Sequence, residues 1–200
     1  MTLPAAEFAA RARALRLLVL DVDGVLTDGR IVLDGGDADG KAFHTQDGLG
    51  ITLARAAGLQ VAFLTGRSSR AVARRAAELH VDHLLQGRPD KGRALDEVCA
   101  TAGVDPGQVA AMGDDWIDLP MLLRAGLAAC PADAVPEVRE RCAFVAGRKG
   151  GRGAVRQFVD ALLAARGQRE ELLARYLAGE GPAASAQAAA GAPPANGSGQ

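Results

Sequence analysis

Two aspartates stand at the end of a short apolar segment near the start of the chain. Asp21 and Asp23 follow the aliphatic run LLVL (17–20), and Gly24 comes next. An aliphatic run that ends in polar residues is typical of a buried parallel strand, which would place both carboxylates where the strand gives way to a loop. There, one carboxylate can face a metal ion and a phosphorus atom while the other reaches a leaving group. Alone the pair is weak evidence, because this Asp-rich chain should contain about one Asp-x-Asp pattern by chance.

Two further apolar runs end in residues suited to the same chemistry. VAFLTGR (61–67) ends in a threonine, a glycine and an arginine, and VAAMGDD (109–115) ends in two aspartates. Lys91 lies between these runs, where a helical pattern begins. Because the C-terminal ends of parallel strands share one edge of a sheet, we expect these groups to meet in one site.

An acidic pair, a hydroxyl residue, a lysine and a second acidic pair, in that order, resemble the four motifs of the haloacid dehalogenase (HAD) superfamily of phosphatases. The segments KAFHTQDG (41–48), QG (86–87) and GGRGAV (150–155) further resemble the 3-deoxy-D-manno-octulosonate 8-phosphate phosphatase family. The resemblance covers roughly residues 15–166. It implies hydrolysis of a sugar-acid phosphate through an aspartyl-phosphate, as a step of lipopolysaccharide biosynthesis.

The resemblance assigns catalytic roles to four residues. Asp21 would be the nucleophile, and Asp23 would protonate the leaving oxygen and then deprotonate water. Thr65 would donate a hydroxyl to the phosphate, and Lys91 would supply a fixed positive charge. Mg²⁺ would be held by Asp21, Asp114 and the backbone carbonyl of Asp23, a set of hard oxygen ligands that this ion prefers.

Substrate contacts are implied at the strand ends and in the segment that precedes the second helix. The predicted substrate-binding residues are Asp23, His44, Thr45, Gln46, Asp47, Gly48, Thr65, Gly66, Arg67, Arg75 and Lys91. Arginine suits this task because its planar fork matches a carboxylate or phosphate in two-point contact. At Thr52 the resemblance leads us to expect an arginine, and its absence removes one candidate contact to a sugar acid.

Other functions share parts of this pattern. A related phosphatase for a nine-carbon, sialic-acid-type 9-phosphate, or for other sugar phosphates, would carry the same motifs. A catalytically silent HAD-like oligomerisation module would share only the fold. The intact set of Asp21, Asp23, Lys91 and Asp114 argues against silence, because a binding module needs no acid/base residue.

Alternating strands and helices predict an α/β fold, a doubly wound, Rossmann-like parallel sheet. The predicted strands are 17–20, 61–65, 81–85, 109–112, 126–130 and 143–147, and the predicted helices are 4–15, 48–57, 69–79, 90–103, 116–125 and 153–166. Residues 31–43 have the pattern of a β-hairpin. Only 43 residues separate Asp21 from Thr65, which leaves room for a hairpin flap and a helix but not for a folded cap domain.

A capless site is open on one side. The resemblance implies that a neighbouring subunit closes it, in a homotetramer whose hairpins associate. The hairpin supports this prediction, because it carries more apolar surface than a solvated flap requires. These apolar residues are Ile31, Val32, Leu33 and Phe43.

The chain of 200 residues predicts one phosphatase domain over residues 1–178. Residues 179–200 are rich in Ala, Gly and Pro without periodicity, which predicts a disordered tail.

Charge and composition exclude several kinds of partner. The net charge is −1 with dispersed basic residues, which argues against a nucleic-acid-binding surface. No apolar stretch approaches the ~18 residues of a membrane span. Cys99, Cys130 and Cys142 form neither a paired framework nor a metal-type cluster, so we expect reduced thiols in a cytoplasmic protein.

At three residues in or just after the last motif we weigh a structural role against a functional one. Asp115 and Asp118 suit either the capping of a helix start or support of a metal site, and Trp116 is predicted to be a packing residue.

Overall fold

A central parallel sheet organises the computed structural model, which describes residues 3–32 and 40–181. Within these residues six strands lie in the order β3–β2–β1–β4–β5–β6, and every neighbouring pair is parallel. The strands are β1 (Leu17–Leu20), β2 (Gln60–Leu64), β3 (His83–Leu85), β4 (Val109–Met112), β5 (Leu127–Cys130) and β6 (Phe144–Val145). The predicted doubly wound α/β fold is confirmed.

Helices cover both faces of this sheet. They are α1 (Ala5–Ala14), α2 (Thr45–Ala56), α3 (Arg70–Glu78), α4 (Lys91–Ala102), α5 (Leu119–Leu122), α6 (Pro136–Arg139), α7 (Ala154–Arg166) and α8 (Arg169–Leu177). One core cluster contains side chains of α1, α2, α3, α7 and α8, and the other contains side chains of α4, α5 and α6. No helix in the described residues is long and apolar enough to cross a membrane.

The central strand shows why its sequence is continuously apolar. Leu18 and Leu20 of β1 point into the first core cluster, and Leu17 and Val19 point into the second. All four are fully buried, since a parallel strand covered on both faces has no side open to water.

The structure departs from the predicted elements in three places. Helix α2 begins at Thr45 rather than near residue 48, and α8 was not predicted. The predicted helix 116–125 is instead a 3-10 turn (Trp116–Asp118) followed by the four-residue α5. The cause is local: Asp115 and Asp118 cap each other's backbone N–H groups, which holds this turn tight.

The predicted β-hairpin falls largely outside the described residues, which omit 33–39. The flanking residues 31–32 and 40–44 are not in a strand. Most of the predicted tail, residues 182–200, also lies outside the described part of the chain.

A buried carboxylate from α2 holds the start of α7. Asp47 is 1% exposed, and its two oxygens accept the backbone N–H groups of Gly153 at 3.0 Å and Arg156 at 2.8 Å. These donors lie in the first turn of α7, where backbone N–H groups have no partner within the helix. The contact therefore fixes the two helices against each other beside the site.

The Asp47→Ala variant should lower the free energy of unfolding by about 2–3 kcal/mol, because it removes a cap and leaves buried N–H groups unpaired. Urea unfolding followed by circular dichroism measures this loss. Asp160→Ala is the matched control, since Asp160 forms only a half-exposed ion pair with Arg156, worth about 0–1 kcal/mol. Equal losses in both variants would contradict the capping role.

Candidate active site

The predicted motifs meet beyond the C-terminal ends of β1, β2 and β4. The strand order switches sides at β1: β2 and β3 are added on one side of it, and β4, β5 and β6 on the other. In open α/β sheets, a crevice forms at this switch point. The backbone N–H of Asp21 continues the β1–β4 ladder by donating to Met112 O at 3.0 Å, so the carboxylate is placed by the sheet itself.

A buried lysine links three parts of this crevice. The Nζ atom of Lys91 donates to Asp21 Oδ1 at 2.5 Å, to Asp118 Oδ1 at 2.9 Å and to the backbone oxygen of Leu64 at 2.9 Å. Lys91 begins α4, which Asp90 caps through its side chain. Only 1% of Lys91 is exposed, so its ammonium group is held entirely by protein acceptors.

Asp114 joins these groups from the end of β4. Its backbone N–H donates to Asp118 Oδ2 at 2.9 Å, so Asp118 binds both the lysine and the loop that carries Asp114. Gly24 lies opposite in a left-handed conformation (φ +98°), and a side chain there would place its Cβ 2.1 Å from Asp114 Oδ2. A glycine is therefore required where the two loops approach.

Burial, and then the crowding of acids, raises the pKa values of two aspartates in the site. Burial, followed by the neighbouring Asp118, raises the pKa of Asp21 to about 7 despite the opposing effect of Lys91. Burial, followed by repulsion from Asp21 and Asp118, raises the pKa of Asp114 to about 8. The site therefore carries more negative charge than one ammonium group balances.

This donor set fits a divalent cation. Asp21, Asp114 and Asp118 each offer a carboxylate oxygen within 4.8 Å of the others. Both oxygens of Asp118 already accept hydrogen bonds, which leaves Asp21 and Asp114 as the better ligands and gives Asp118 a supporting role. Hard oxygen ligands and uncompensated charge suit Mg²⁺.

A second lysine contacts the second aspartate of the first motif. Asp23 lies in the loop after β1, and its Oδ1 accepts a hydrogen bond from Lys41 Nζ. The Asp23 side chain stays 22% exposed, so it remains open to a substrate.

Known proteins are similar to this chain in sequence. The profile of haloacid dehalogenase-like hydrolases matches residues 84–158. The chain is 42% identical over 166 residues to the 3-deoxy-D-manno-octulosonate 8-phosphate phosphatase KdsC of Escherichia coli K12, covering 83% of this chain and 88% of that protein.

The chain belongs to the 3-deoxy-D-manno-octulosonate 8-phosphate phosphatase family of HAD-like hydrolases. It is a phosphomonoester hydrolase.

Solved structures agree with this assignment. The phosphatase of the same name from Yersinia pestis superposes with a TM-score of 0.79 at 41% identity, covering 82% of this chain and 89% of that one. The enzyme from Moraxella catarrhalis, solved with magnesium, phosphate and a KDO molecule, has a TM-score of 0.82 at 34% identity, covering 85% and 98% of the two chains.

The hydroxyl motif of the family lies at the end of β2. Thr65 is buried, and its Oγ1 accepts the backbone N–H of Arg67 at 3.2 Å. The backbone N–H of Thr65 donates to Leu85 O at 2.9 Å, which fixes this turn to β3. Gly66 is half-buried beside Thr65, and Arg67 is exposed.

The segment before and within the first turn of α2 divides into accessible and buried residues. His44 is half-buried, whereas Thr45 and Gln46 are exposed and Gln46 Oε1 accepts a hydrogen bond from Arg148 at 2.5 Å. Asp47 and Gly48 are buried. Asp47 caps α7 and Gly48 faces Arg75, and the substrate contacts of these two residues stay predictions.

Arg75 lies between α2 and α3 rather than free in the crevice. Its guanidinium stacks over the Phe43 ring at 5.8 Å and donates to Glu78 at 2.8 Å. A Cβ at Gly48 would come within 2.2 Å of its Nη2 atom. The bond to Glu78 uses the Nη1 atom, and the substrate contact of Arg75 stays a prediction.

Sequence reasoning missed or underrated three residues. Asp118 forms a buried ion pair with Lys91, although its position in the sequence equally suited a helix cap. Lys41 stood in a motif without an assigned role. Trp116 was predicted to be a packing residue, but it is 62% exposed at the start of the tight turn that Asp115 caps.

The raised pKa values predict how a metal-free protein responds to pH. Asp21 and Asp114 ordinarily titrate near 3.8, so between about pH 4 and 8 the folded chain binds more protons than the unfolded chain. The free energy of unfolding contributed by these groups should therefore fall as pH rises through this window.

Excess Mg²⁺ should prevent this decrease in the free energy of unfolding. The rise in thermal midpoint that Mg²⁺ causes should therefore be larger at about pH 8.5 than at about pH 6. Differential scanning calorimetry with and without the ion measures both trends, and Asp114→Asn should reduce them. A metal-free stability that rises across the same window would contradict the raised pKa values.

Proposed function

We propose that this enzyme hydrolyses 3-deoxy-D-manno-octulosonate 8-phosphate to the free sugar acid and phosphate, with Mg²⁺, in lipopolysaccharide biosynthesis. The observation that carries the proposal is the convergence of Lys91, Asp21, Asp114 and Asp118 in a chain 42% identical to relatives named for this reaction. Their names state their substrate, and the residues of this chain supply the matching chemistry.

Asp21 is the nucleophile of the proposed reaction. Its carboxylate attacks phosphorus, the bond to the sugar oxygen breaks, and an aspartyl-phosphate forms on Asp21. Lys91 stays bonded to the Asp21 carboxylate and supplies a fixed positive charge as negative charge develops. Water then attacks the phosphorus of this intermediate and releases inorganic phosphate.

Asp23 moves the protons of both half-reactions. It gives a proton to the departing sugar oxygen and later takes one from the attacking water. The Thr65 hydroxyl and the Gly66 backbone N–H would hold phosphate oxygens at the end of β2. A bound Mg²⁺, held by the carboxylates of Asp21 and Asp114 and the backbone carbonyl of Asp23, would neutralise the two anions that must approach each other.

Recognition of the sugar acid falls to groups around the mouth of the crevice. The exposed Arg67, together with His44, Thr45 and Gln46, is available for it. Thr52 cannot replace an arginine there, because its hydroxyl donates to Gly48 O at 3.2 Å within its own helix. A substrate assay therefore has to distinguish the eight-carbon substrate from a sialic-acid-type 9-phosphate.

We also propose the homotetramer. Ile31 and Val32 are each 57% exposed directly before residues 33–39, and such paired exposure of aliphatic side chains is typical of an interface. A neighbouring subunit at this position would close the capless crevice. Assembly and substrate binding would then be coupled.

The Asp21→Asn variant should lower kcat by several orders of magnitude while the fold survives, because shape is kept and the nucleophilic charge is lost. Asp23→Asn should lower steady-state turnover strongly but still permit slow phosphorylation of Asp21. Phosphate release measures both, with the exposed, remote Asp105→Asn as control. Near-normal activity of Asp21→Asn would refute the assignment.

A substrate panel tests the proposed specificity. The value of kcat/KM for 3-deoxy-D-manno-octulosonate 8-phosphate should exceed that for glycerol phosphate by about 100-fold or more, since polar groups of the site remain unpaired with the smaller ester. A nine-carbon sialic-acid-type 9-phosphate should fall between them. Equal kcat/KM across the panel would rule out the sugar-acid assignment.

Substitution of Ile31 by Asp should dissociate the oligomer and raise KM together, because a buried charge disrupts an apolar interface that also walls the site. Multi-angle light scattering and steady-state kinetics measure the two effects. The control is Leu177→Asp, at an exposed aliphatic residue that ends α8. A wild-type monomer with full activity at assay concentration would contradict this proposal.

A further inference from the structure

Lysine is rare in this chain, and its positions are informative. The sequence contains three lysines among 23 basic residues, the rest being arginine. Lys91 contacts Asp21, and Lys41 contacts Asp23, so each aspartate of the first motif has its own lysine. Lys149, the third, is exposed. The compact ammonium group of lysine acts as a point charge, which suits contact with a single carboxylate oxygen.

The side chain of Lys41 is buried and paired with a carboxylate, unlike that of an ordinary surface lysine. Its side chain is 4% exposed, although it lies in an irregular segment before α2. Burial of an ammonium group is unfavourable unless a counter-charge is close. Within the described part of the chain, the partner shown for this ammonium is the Asp23 carboxylate.

We infer that Lys41 is a positioning residue that fixes the orientation of the Asp23 carboxylate toward the leaving group. The inference rests on the acid/base role proposed for Asp23. Asp23 lies in a loop and is partly exposed, so its side chain would otherwise exchange between rotamers. Proton delivery to a departing oxygen depends on close placement, and small displacements of a catalytic group cost large factors in rate.

This role differs from simple anchoring of the segment in which Lys41 lies. An anchor would affect every phosphate ester alike, because it supports the whole crevice. A residue that acts through Asp23 matters most where the leaving oxygen needs a proton. Alkyl and sugar phosphates need that proton, whereas the nitrophenolate of p-nitrophenyl phosphate leaves without one.

The test compares kcat/KM of wild type and Lys41→Met on the eight-carbon sugar-acid phosphate and on p-nitrophenyl phosphate. This parameter covers the steps up to leaving-group departure, so slow hydrolysis of the aspartyl-phosphate does not mask the effect. We expect a loss of about 10- to 100-fold on the sugar phosphate and about threefold or less on the aryl phosphate. Lys41→Arg should restore most of the loss, because it keeps the charge beside Asp23.

Lys149→Met is the matched control, since it removes the same charge from an exposed position, and both values should stay near wild type. Equal losses on the two esters, or none, in Lys41→Met would overturn the inference. If Lys41→Met does not fold, Lys41→Gln is measured in the same way and decides by the same criterion.

Asp23→Asn separates this inference from the proposed function. If that variant shows the selective loss on the sugar phosphate and Lys41→Met does not, the proposed mechanism stands and the positioning role fails. If Asp23→Asn shows no selectivity, the acid/base assignment fails and the role of Lys41 fails with it.

Discussion

The site depends on one buried ammonium group placed among more carboxylates than it can neutralise. Lys91 bonds to Asp21, to Asp118 and to the backbone of β2, and so connects the ends of two strands with the turn after a third. Removal of several charges from water is costly, and only mutual pairing offsets that cost. Burial, followed by the remaining excess of negative charge, raises the pKa values of Asp21 and Asp114, and this excess suits a divalent cation.

The fold supplies the close approaches that this arrangement needs. Side chains are excluded at Gly24 by the Asp114 carboxylate and at Gly150 by the backbone, since a Cβ at Gly150 would lie 1.7 Å from Gly24 O. The loop that begins with Gly150 therefore packs directly against the loop that carries Asp23. This contact explains physically why the GGRG segment begins with a glycine. In the sequence, the segment contributed only to the family resemblance. Asp47 also binds the first turn of α7, which holds the accessible start of α2 in place beside the site.

Much of the fold was predictable because its signals are local. Apolar runs bounded by turn residues predicted the strands, and the carboxyl ends of those strands predicted which motifs would meet. The features that sequence left open or missed have a different cause. Asp47 and Asp118 are polar residues beside motifs, and sequence cannot tell a carboxylate that faces a substrate from one that caps a helix or binds a lysine. Trp116 is apolar yet exposed, because a tight turn fixed by Asp115 overrides its hydrophobicity. The contact of Lys41 with Asp23 joins residues 18 apart, and no periodicity of the sequence predicts it.

A double-mutant cycle between Lys91→Met and Asp118→Asn tests most directly whether this ammonium balances the buried acids. Lys91→Met should be destabilised in metal-free buffer, because it leaves the buried carboxylates of Asp21 and Asp118 without their ammonium partner, whereas Asp118→Asn leaves Lys91 paired with Asp21 and should cost less. The second substitution should recover part of the first loss, which corresponds to a coupling free energy of about 2–3 kcal/mol in urea unfolding. Additive losses, with a coupling below about 0.5 kcal/mol, would show that Lys91 and Asp118 do not stabilise each other and would contradict the account.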